Sequence, residues 1–328
     1  MLSYIARRIV IMIPTLFLIS IVCFFVIELP PGDIVSNRVQ ELLLRGGGDS
    51  AAQLENLRER YGLNDPQIVR YFRWIGRFLI GNMGYSLHFN TQVADLILER
   101  FAMTTLVAGL SLVFTWVVAF PIAIYSATNQ YSIGDFFWTT VGFIGLAIPN
   151  FMFALILMVV FFRFFPDLGI GGLYAPRFVG QPFSVAKLLS LMAHLVIPVV
   201  VVGTAATCGL IRTVRANLLD ELSKAYVITA RAKGVAEGRL LIKYPVRIAL
   251  NPFFSTVGWV LPSLISGAVI TAVVLGLPTS GPVFLQALRA QDMQVAGAFV
   301  MLTATLTVIG TLLSDILLVI VDPRIRYE

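Results

Sequence analysis

The chain has 328 residues, of which 58% are apolar and only 13% are charged, and its net charge is +6. Soluble domains carry roughly 25% charged residues, so this composition excludes an ordinary soluble protein and indicates several membrane spans. The positive charge does not indicate nucleic-acid binding, because most of it lies in residues 212–247, with eight basic and three acidic side chains. Cys23 and Cys208 both fall in apolar runs, which excludes a disulfide framework.

Six apolar runs reach the length of about 20 residues that a helix needs to cross a bilayer. The first run is longer than the apolar core of a signal peptide, about 7–15 residues, so we expect it to be retained as a span. The sequence therefore predicts an all-α, polytopic membrane domain over residues 1–328. The six predicted spans are residues 9–29, 101–126, 137–162, 189–211, 253–277 and 295–321.

The basic residues of the short loops predict the orientation of the spans. Arg7 and Arg8, the 212–247 cluster, and Arg324 with Arg326 all lie on one side of the membrane, which the positive-inside rule makes the cytoplasmic side. The long loop 30–100 balances eight arginines with eight acids, so it does not oppose this orientation. Both termini are then cytoplasmic.

Proline occurs in five of the six spans and predicts bent helices around a central passage, because each proline removes a backbone donor. Small residues, as in GTAATCG (203–209) and SGAVITA (266–272), favour close helix packing. Ordinary helix packing is the alternative explanation for any single proline. The five prolines are Pro14, Pro121, Pro149, Pro198 and Pro262.

The outer loop between the first two spans contains a predicted helix over residues 65–81. Asp65 is the expected cap, Pro66 suits the first helical position, and Gly81 ends the helix. The pattern fits a helix on the membrane surface or one that buries a face, and a docking surface for an external partner is the sharper alternative. Its apolar face comprises Ile68, Phe72, Ile75, Phe78 and Leu79, and the displaced arginines are Arg70, Arg73 and Arg77.

Catalytic motifs are not found along the chain. The nearest approach to a phosphate-binding loop, KGVAEGRL, lacks the Lys-Ser or Lys-Thr ending, so the chain is not expected to be an ATPase or another enzyme. His88 and His194 are far apart and belong to no ligand cluster, so no metal and no cofactor are expected in this chain.

Two carboxylates fall within predicted spans. Asp315 lies seven residues before Asp322, about 10 Å into the last span. An ionisable residue at that depth is either part of a transport pathway or a packing residue that hydrogen-bonds with Ser314 or a neighbouring span. We favour packing, because the only other carboxylate, Glu28, lies at the opposite mouth.

The basic segment AYVITARAKGVAEGRLLIKYPVR (225–247) predicts two short helices, 225–233 and 237–243, joined at Gly234 and limited by Pro245. Its charge is explained by the positive-inside rule or by anionic lipid, at about 1 kcal/mol for each basic residue. Neither explains a helix–glycine–helix insertion of this length, whereas a rigid element that transmits force to a soluble partner does.

This segment resembles the cytoplasmic loop of permease subunits in binding-protein-dependent ABC importers, in the dipeptide/oligopeptide/nickel branch. There are two departures. The wider importer family usually has Glu-Ala-Ala before the glycine, where this chain has Ile228-Thr229-Ala230, a difference that is usual for the branch. Late in the fifth span the branch commonly has a Glu and then Pro-Gly-x-Gly, where this chain has Ala272 and PTSG (278–281). Further motifs match in order along essentially the whole chain: PPGD (30–33), YGLNDP (61–66), GNMGYSL (81–87), AIPNF (147–151), HLVIP (194–198) and DPRIRY (322–327).

The resemblance implies a function and partners. The chain is expected to form half of the path for a small solute in an ATP-driven importer of a bacterial or archaeal inner membrane. Its partners are a second permease, two ATP-binding cassette subunits that bind ATP and Mg, and an external solute-binding protein. The coupling loop, 212–250, is expected to contact an ATPase subunit through Tyr226, Thr229, Ala230, Arg231, Ala232, Lys233, Gly234 and Glu237.

The substrate implied by the resemblance is a di- or oligopeptide, with nickel chelates, oligosaccharides or opines as alternatives. Three other classes of protein compete with the importer. They are an ion-coupled secondary transporter, an intramembrane enzyme and a scaffold that only anchors partners. The scarcity of intramembrane ionisable residues opposes the first, and the lack of a nucleophile–base pair opposes the second.

Overall fold

The computed structural model describes residues 2–28, 65–165, 171–251, 253–254 and 269–321. The all-α prediction is confirmed, with one addition, a short antiparallel hairpin. The elements are α1 (Leu2–Glu28), α2 (Gln67–Leu79), β1 (Tyr85–Ser86), β2 (Thr91–Gln92), α3 (Val93–Thr128), α4 (Ile133–Ala147), α5 (Asn150–Phe164), a 3-10 turn (Pro176–Phe178), α6 (Val185–Leu222), α7 (Ala225–Ala232), α8 (Glu237–Lys243), α9 (Pro245–Ala249), α10 (Val269–Val274), α11 (Ser280–Arg289) and α12 (Met293–Val321).

Some sequence predictions concern residues outside the described ranges. They include the motifs PPGD (30–33) and DPRIRY (322–327), and most of span 253–277 with Pro262.

Four of the described helices are long and apolar enough to cross a membrane, and they overlap the predicted spans one, two, four and six. The predicted span 137–162 falls on α4 and α5, an apolar pair bent by 107°. The four crossing segments are Ala6–Val26, Val93–Thr128, Val185–Leu222 and Met293–Ile320.

The prolines differ in their effect on the helices. Pro149 separates α4 from α5, because the residue before it, Ile148, takes an extended backbone (φ −83°, ψ 122°) that cannot continue a helix. Pro14, Pro121 and Pro198 lie inside uninterrupted helices. The strong bend predicted from proline is therefore present at Pro149, while the other three described prolines leave their helices continuous.

The chain forms two compact units, and the first takes in residues 1–104 and 279–306. In it, α2 begins at Gln67 with Pro66 at the capping position and no side-chain cap, so the prediction that Asp65 caps this helix is wrong. Asp65 instead forms an ion pair with Arg73. The predicted stop is confirmed, because Gly81 has a φ of +79° just after the helix.

The first unit also holds the start of α12 through a buried carboxylate. Asp292, 1% exposed, accepts a hydrogen bond from the Val295 amide and thereby caps the helix. The hydroxyl of Ser86, in the hairpin, donates to the same carboxylate. The unusual stretch 278–281 is hydrogen-bonded as well: the Ser280 amide donates to the Thr104 hydroxyl at 2.9 Å.

The second unit, residues 105–278 and 307–328, is a helical bundle in which α4, α5 and α9 all pack on α6. Its close packing depends on small residues, as predicted for 203–209. A methyl group at Gly203 would lie 2.6 Å from the Phe114 ring, so α3 and α6 approach closely only at a glycine. The hydroxyl of Thr115 donates to the Gly203 carbonyl across the same contact.

A buried ion pair joins the start of α4 to α6 in the second unit. Asp135, 4% exposed, accepts hydrogen bonds from Arg215 at 3.0 Å to Nε and 2.7 Å to its terminal nitrogen. The same carboxylate accepts from the Tyr131 amide at 3.0 Å, and the Asp135 amide donates to the Ser132 hydroxyl, which caps α4. The pair therefore fixes the short turn between α3 and α4 against α6.

We expect Asp135→Ala to lower the stability of the protein by about 3 kcal/mol, because it leaves the largely buried guanidinium of Arg215 without its carboxylate. The measurement is the midpoint of thermal unfolding of the purified protein. The double variant Asp135→Leu/Arg215→Met removes both charges and is expected to regain most of the loss. A single variant as stable as the wild type would contradict this role.

Candidate functional site: a helical elbow after α6

The candidate site is the segment that follows α6, and only Ser223 and Lys224 separate it from that helix. The predicted span ended at Ile211, but α6 continues as helix to Leu222. Along this extension Leu218 is fully buried among residues of α3 and α9. Arg215 holds the extension to Asp135 as well. The segment therefore starts from a rigid support.

Two short helices form the segment, as the sequence predicts. The helix α7 ends at Ala232, α8 begins at Glu237, and Gly234 lies between them with a φ of +75°. We call residues 225–243 the elbow. The prediction that Pro245 limits the second helix is confirmed, and this proline also begins the next short helix, α9.

The turn at Gly234 is a Schellman motif. The Val235 amide donates to the Ala230 carbonyl at 3.3 Å, and the Gly234 amide donates to the Arg231 carbonyl at 3.0 Å. This pattern satisfies the last carbonyls of α7 and requires a left-handed residue at the position of Gly234. A methyl group at Gly234 would meet no atom within 4 Å, so the requirement for glycine comes from the backbone angle and not from crowding.

A small apolar core holds the two helices of the elbow together. Val227 and Leu240 are fully buried and face each other across the turn, with Val235 and Tyr244 packed beside them. Ala230 belongs to the same core and is 8% exposed. The sequence prediction grouped Ala230 with the residues that contact a partner, but its side chain packs inside the elbow.

An ion pair crosses the elbow on its outer surface. Arg231 donates to both carboxylate oxygens of Glu237, at 2.5 and 3.3 Å, so the end of α7 is joined to the start of α8. This hydrogen bonding holds the pKa of the Glu237 carboxyl below its usual range and raises the pKa of Arg231. Both side chains are exposed, so the pair orients the elbow more than it stabilises it.

Tyr226 connects the elbow to the end of α6. Its hydroxyl donates a hydrogen bond to the Glu221 carboxylate. Burial, together with that hydrogen bond, raises the pKa of the Tyr226 hydroxyl above its usual range. Its ring lies 6.5 Å from the ring of Tyr244. Tyr226 therefore makes contacts inside the protein, although its side chain is also partly exposed at the surface.

The remaining predicted contact residues lie on the exposed side of the elbow, and sequence reasoning missed two apolar residues beside them. Ile228 is 57% exposed and Ile242 is 69% exposed. The sequence feature that could have indicated them is the occurrence of isoleucine within a basic, surface-exposed segment. The exposed predicted residues are Thr229, Arg231, Ala232, Lys233, Gly234 and Glu237.

The other candidate residues do not join the elbow into a larger site. Asp315 is half-buried in α12, next to Ser314, whose hydroxyl donates to the Phe254 carbonyl at 2.7 Å. The Nδ1 atom of His194 lies 2.7 Å from the Ser190 carbonyl of its own helix. Within the part of the chain that the structure describes, no three His, Cys, Asp or Glu side chains could hold a metal ion.

These features define a polytopic membrane protein with an exposed basic elbow at the end of a long membrane helix. The chain belongs to the family described as "Binding-protein-dependent transport system inner membrane component", which matches residues 119–327. The N-terminal part of the same kind of membrane component matches residues 1–108. The chain is thus a multi-pass permease of the inner membrane and not an enzyme.

Named relatives match over the full length of the chain. It is 37% identical over 331 residues to the oligopeptide transport system permease protein AppB of Bacillus subtilis. It is 28% identical to the dipeptide transport system permease protein DppB of Alkalihalophilus pseudofirmus and 27% identical to the oligopeptide transport system permease protein OppB of Haemophilus influenzae. In all three cases the alignment covers 100% of both chains.

We expect Gly234→Val to loosen the elbow, because a side chain in the left-handed conformation costs about 1–2 kcal/mol. That cost corresponds to about a 5–30-fold larger open population. The measurement is hydrogen–deuterium exchange of peptides that cover residues 225–243.

Two matched variants control this experiment. Gly234→Asn, which tolerates the left-handed conformation better, should exchange more slowly than Gly234→Val. Gly238→Ala changes a glycine that is also exposed and also has open space around it, but that lies inside α8 with no positive φ. It should exchange no faster than the wild type, and equal exchange in all variants would contradict the assigned role of Gly234.

Proposed function

We propose that this chain forms half of the translocation path of an ATP-driven importer for small peptides. In this proposal the elbow is the part that an ATP-binding subunit moves. The single observation that supports the coupling role is a rigid, exposed helix–glycine–helix element at the end of α6, in a chain of a binding-protein-dependent transport family.

The elbow is built to transmit movement to the membrane helices. Its two helices share a buried core, and Tyr226 holds it to the last turn of α6. That helix runs without interruption from Val185 to Leu222, so a displacement of the elbow moves a rod and is not absorbed by a loop. A buried ion pair, Asp135 with Arg215, extends the movement to α4.

The energy for this movement comes from partner subunits. A conformational change needs a ligand that distinguishes the two states, and this chain has no nucleotide-binding motif. Two ATP-binding cassette subunits are proposed to bind ATP and Mg, a second permease to complete the path, and an external solute-binding protein to deliver the solute. The elbow and both termini then face the cytoplasm, as the basic residues predict.

The proposed substrate is a di- or oligopeptide. The full-length relatives are named as oligopeptide and dipeptide transport permeases, which supports peptide over nickel chelates, oligosaccharides or opines. Asp315 keeps its two interpretations, a pathway residue or a packing residue. Its neighbour Ser314 donates its one hydroxyl proton to the Phe254 carbonyl, so the packing interpretation depends on a neighbouring span and not on Ser314.

The coupling role predicts that Gly234→Val uncouples transport from ATP hydrolysis. In vesicles that contain the complete complex, we expect this variant to assemble normally and to take up several-fold less peptide for each ATP hydrolysed. Gly234→Asn is expected to stay near the wild type, because it keeps the turn. Normal uptake by the valine variant in a normally assembled complex would rule out the coupling role.

The same pair of variants separates coupling from binding to anionic lipid. Neither variant changes a charge, so a purely lipid-binding elbow would work equally well in both. Replacing the exposed Lys233 and Arg239 with glutamine gives the complementary test. If uptake falls in the variant that lacks the charges of Lys233 and Arg239 but stays normal in both Gly234 variants, the lipid interpretation is favoured.

The peptide assignment predicts which solutes drive the complex. With the cognate binding protein present, short peptides should stimulate ATP hydrolysis and be accumulated in vesicles, while nickel chelates, oligosaccharides and opines should not. Withholding ATP should abolish uptake, whereas an imposed ion gradient should not replace it. Uptake driven by the gradient alone would identify a secondary transporter, and stimulation by another solute class would replace the peptide assignment.

A further inference from the structure

The helix α2 (Gln67–Leu79) packs one face against two membrane-crossing helices. Tyr71, 6% exposed, and Trp74 both lie against Phe24 of α1, with ring centroids 5.5 and 5.8 Å apart. Trp74 also lies against the backbone of α12, where a methyl group at Gly297 would come within 3.2 Å of its ring. The inner face of α2 is therefore fixed to α1 and to α12.

A hydrogen bond shows how far this contact reaches along α1. The oxygens of Tyr71 and Ser20 are 2.7 Å apart, and the Ser20 hydroxyl also donates to the Phe17 carbonyl. Because serine has one proton, the Tyr71 hydroxyl is the donor to Ser20. Ser20 precedes Glu28, the last residue of α1, by eight positions, which is about 12 Å along the helix axis.

This distance places α2 beside the apolar part of α1 and not beyond its end. The hydrocarbon core of a bilayer is about 30 Å thick, so 12 Å is most of one leaflet. The Tyr71 hydroxyl has an internal partner at this position, as a polar group away from water requires. Arg70, near the end of α1, pairs with Glu28 at 2.6 Å, which neutralises both charges.

A second face of α2, about 110° round the helix from Tyr71 and Trp74, presents an apolar row. Ile68, Phe72 and Leu79 are 68%, 60% and 78% exposed, and their spacing of four and seven residues puts them on one face of the helix. We propose that α2 is embedded in the leaflet that holds the C-terminal end of α1, and that this row contacts phospholipid acyl chains. This inference is independent of the proposed function and holds for either orientation of the chain.

Two observations favour lipid over a protein as the occupant. The neighbouring helix α1 is long and apolar enough to cross a membrane, and on its side away from α2 Leu18, Val22 and Val26 are 56–62% exposed, so α2 packs on a helix whose own outer surface is apolar. Arg77, in the last turn of α2, is exposed and long enough to reach phosphate groups at the membrane surface. An apolar row with a basic residue on the other side of the helix is the pattern of an interfacial helix.

The test measures what touches each face of α2 in the assembled complex. The two native cysteines are first removed by Cys23→Ala and Cys208→Ala. A single cysteine then replaces Phe72 or Leu79 in the apolar row, or Gln67 or Arg77 as a matched control on the same helix. Each cysteine receives a nitroxide, and the complex is placed in phospholipid nanodiscs. Collisions are then measured with oxygen, which concentrates in hydrocarbon, and with a water-soluble nickel chelate.

We expect the ratio of oxygen to nickel collisions to be several-fold higher at the two row positions than at the two controls. Two results would overturn the proposal. High nickel accessibility at the row means that it faces water. Low accessibility to both reagents means that protein covers the row. If the protection is present in the complex alone, the second permease covers the row; if it appears only after the solute-binding protein is added, that protein does.

Discussion

Every backbone N–H and C=O group of this chain that lies in hydrocarbon must find a partner within the protein, and the described structure follows from that constraint. Long helices satisfy it along their length, so the remaining problem is how each helix ends. Four helices end in the same way, with a left-handed residue and the hydrogen-bond pair of a Schellman motif. The left-handed residues are Gly81, Gly234, Gly276 and Gln291.

The elbow uses this helix end to make a compact, rigid element. At Gly81 the motif ends a helix that packs on the membrane spans, while at Gly234 it turns the chain back so that Val227 and Leu240 can bury each other. Since the turn is closed by its own hydrogen bonds, its shape does not depend on a partner. The surface offered to a partner is then determined in advance, which suits the coupling role proposed for the elbow.

Two ion pairs of the described helices join distant parts of the sequence. Asp135 and Arg215 are 80 residues apart and make two hydrogen bonds. Glu28 and Arg70 make a second pair in the other unit. The sequence analysis counted Arg215 among the basic residues of the 212–247 cluster. Such a count does not say which carboxylate each basic side chain reaches, so it could not predict the pair of Arg215 with Asp135.

Local patterns made the helices and the elbow predictable, and the resemblance of the ordered motifs to a permease branch indicated the transport family. Apolar runs of span length, a glycine between two helix-forming stretches and a proline after a short helix each act within a few residues, so they can be read from the order of amino acids alone. The helix bounds at 225–232 and 237–243 agree with that analysis almost to the residue.

The unpredicted features depend on which of several possible partners a side chain meets, whether that partner is near or far along the chain. Ala230 faces inward because α7 and α8 pack together, and Asp65 pairs with Arg73 instead of capping α2. Asp292 caps α12 locally, but its burial comes with a hydrogen bond from Ser86, 206 residues away. Long-range packing selects one face of each helix for burial, and an amphipathic pattern does not say which partner covers it. For that reason the depth of Tyr71 beside Ser20 emerged only once α1 and α2 were seen in contact.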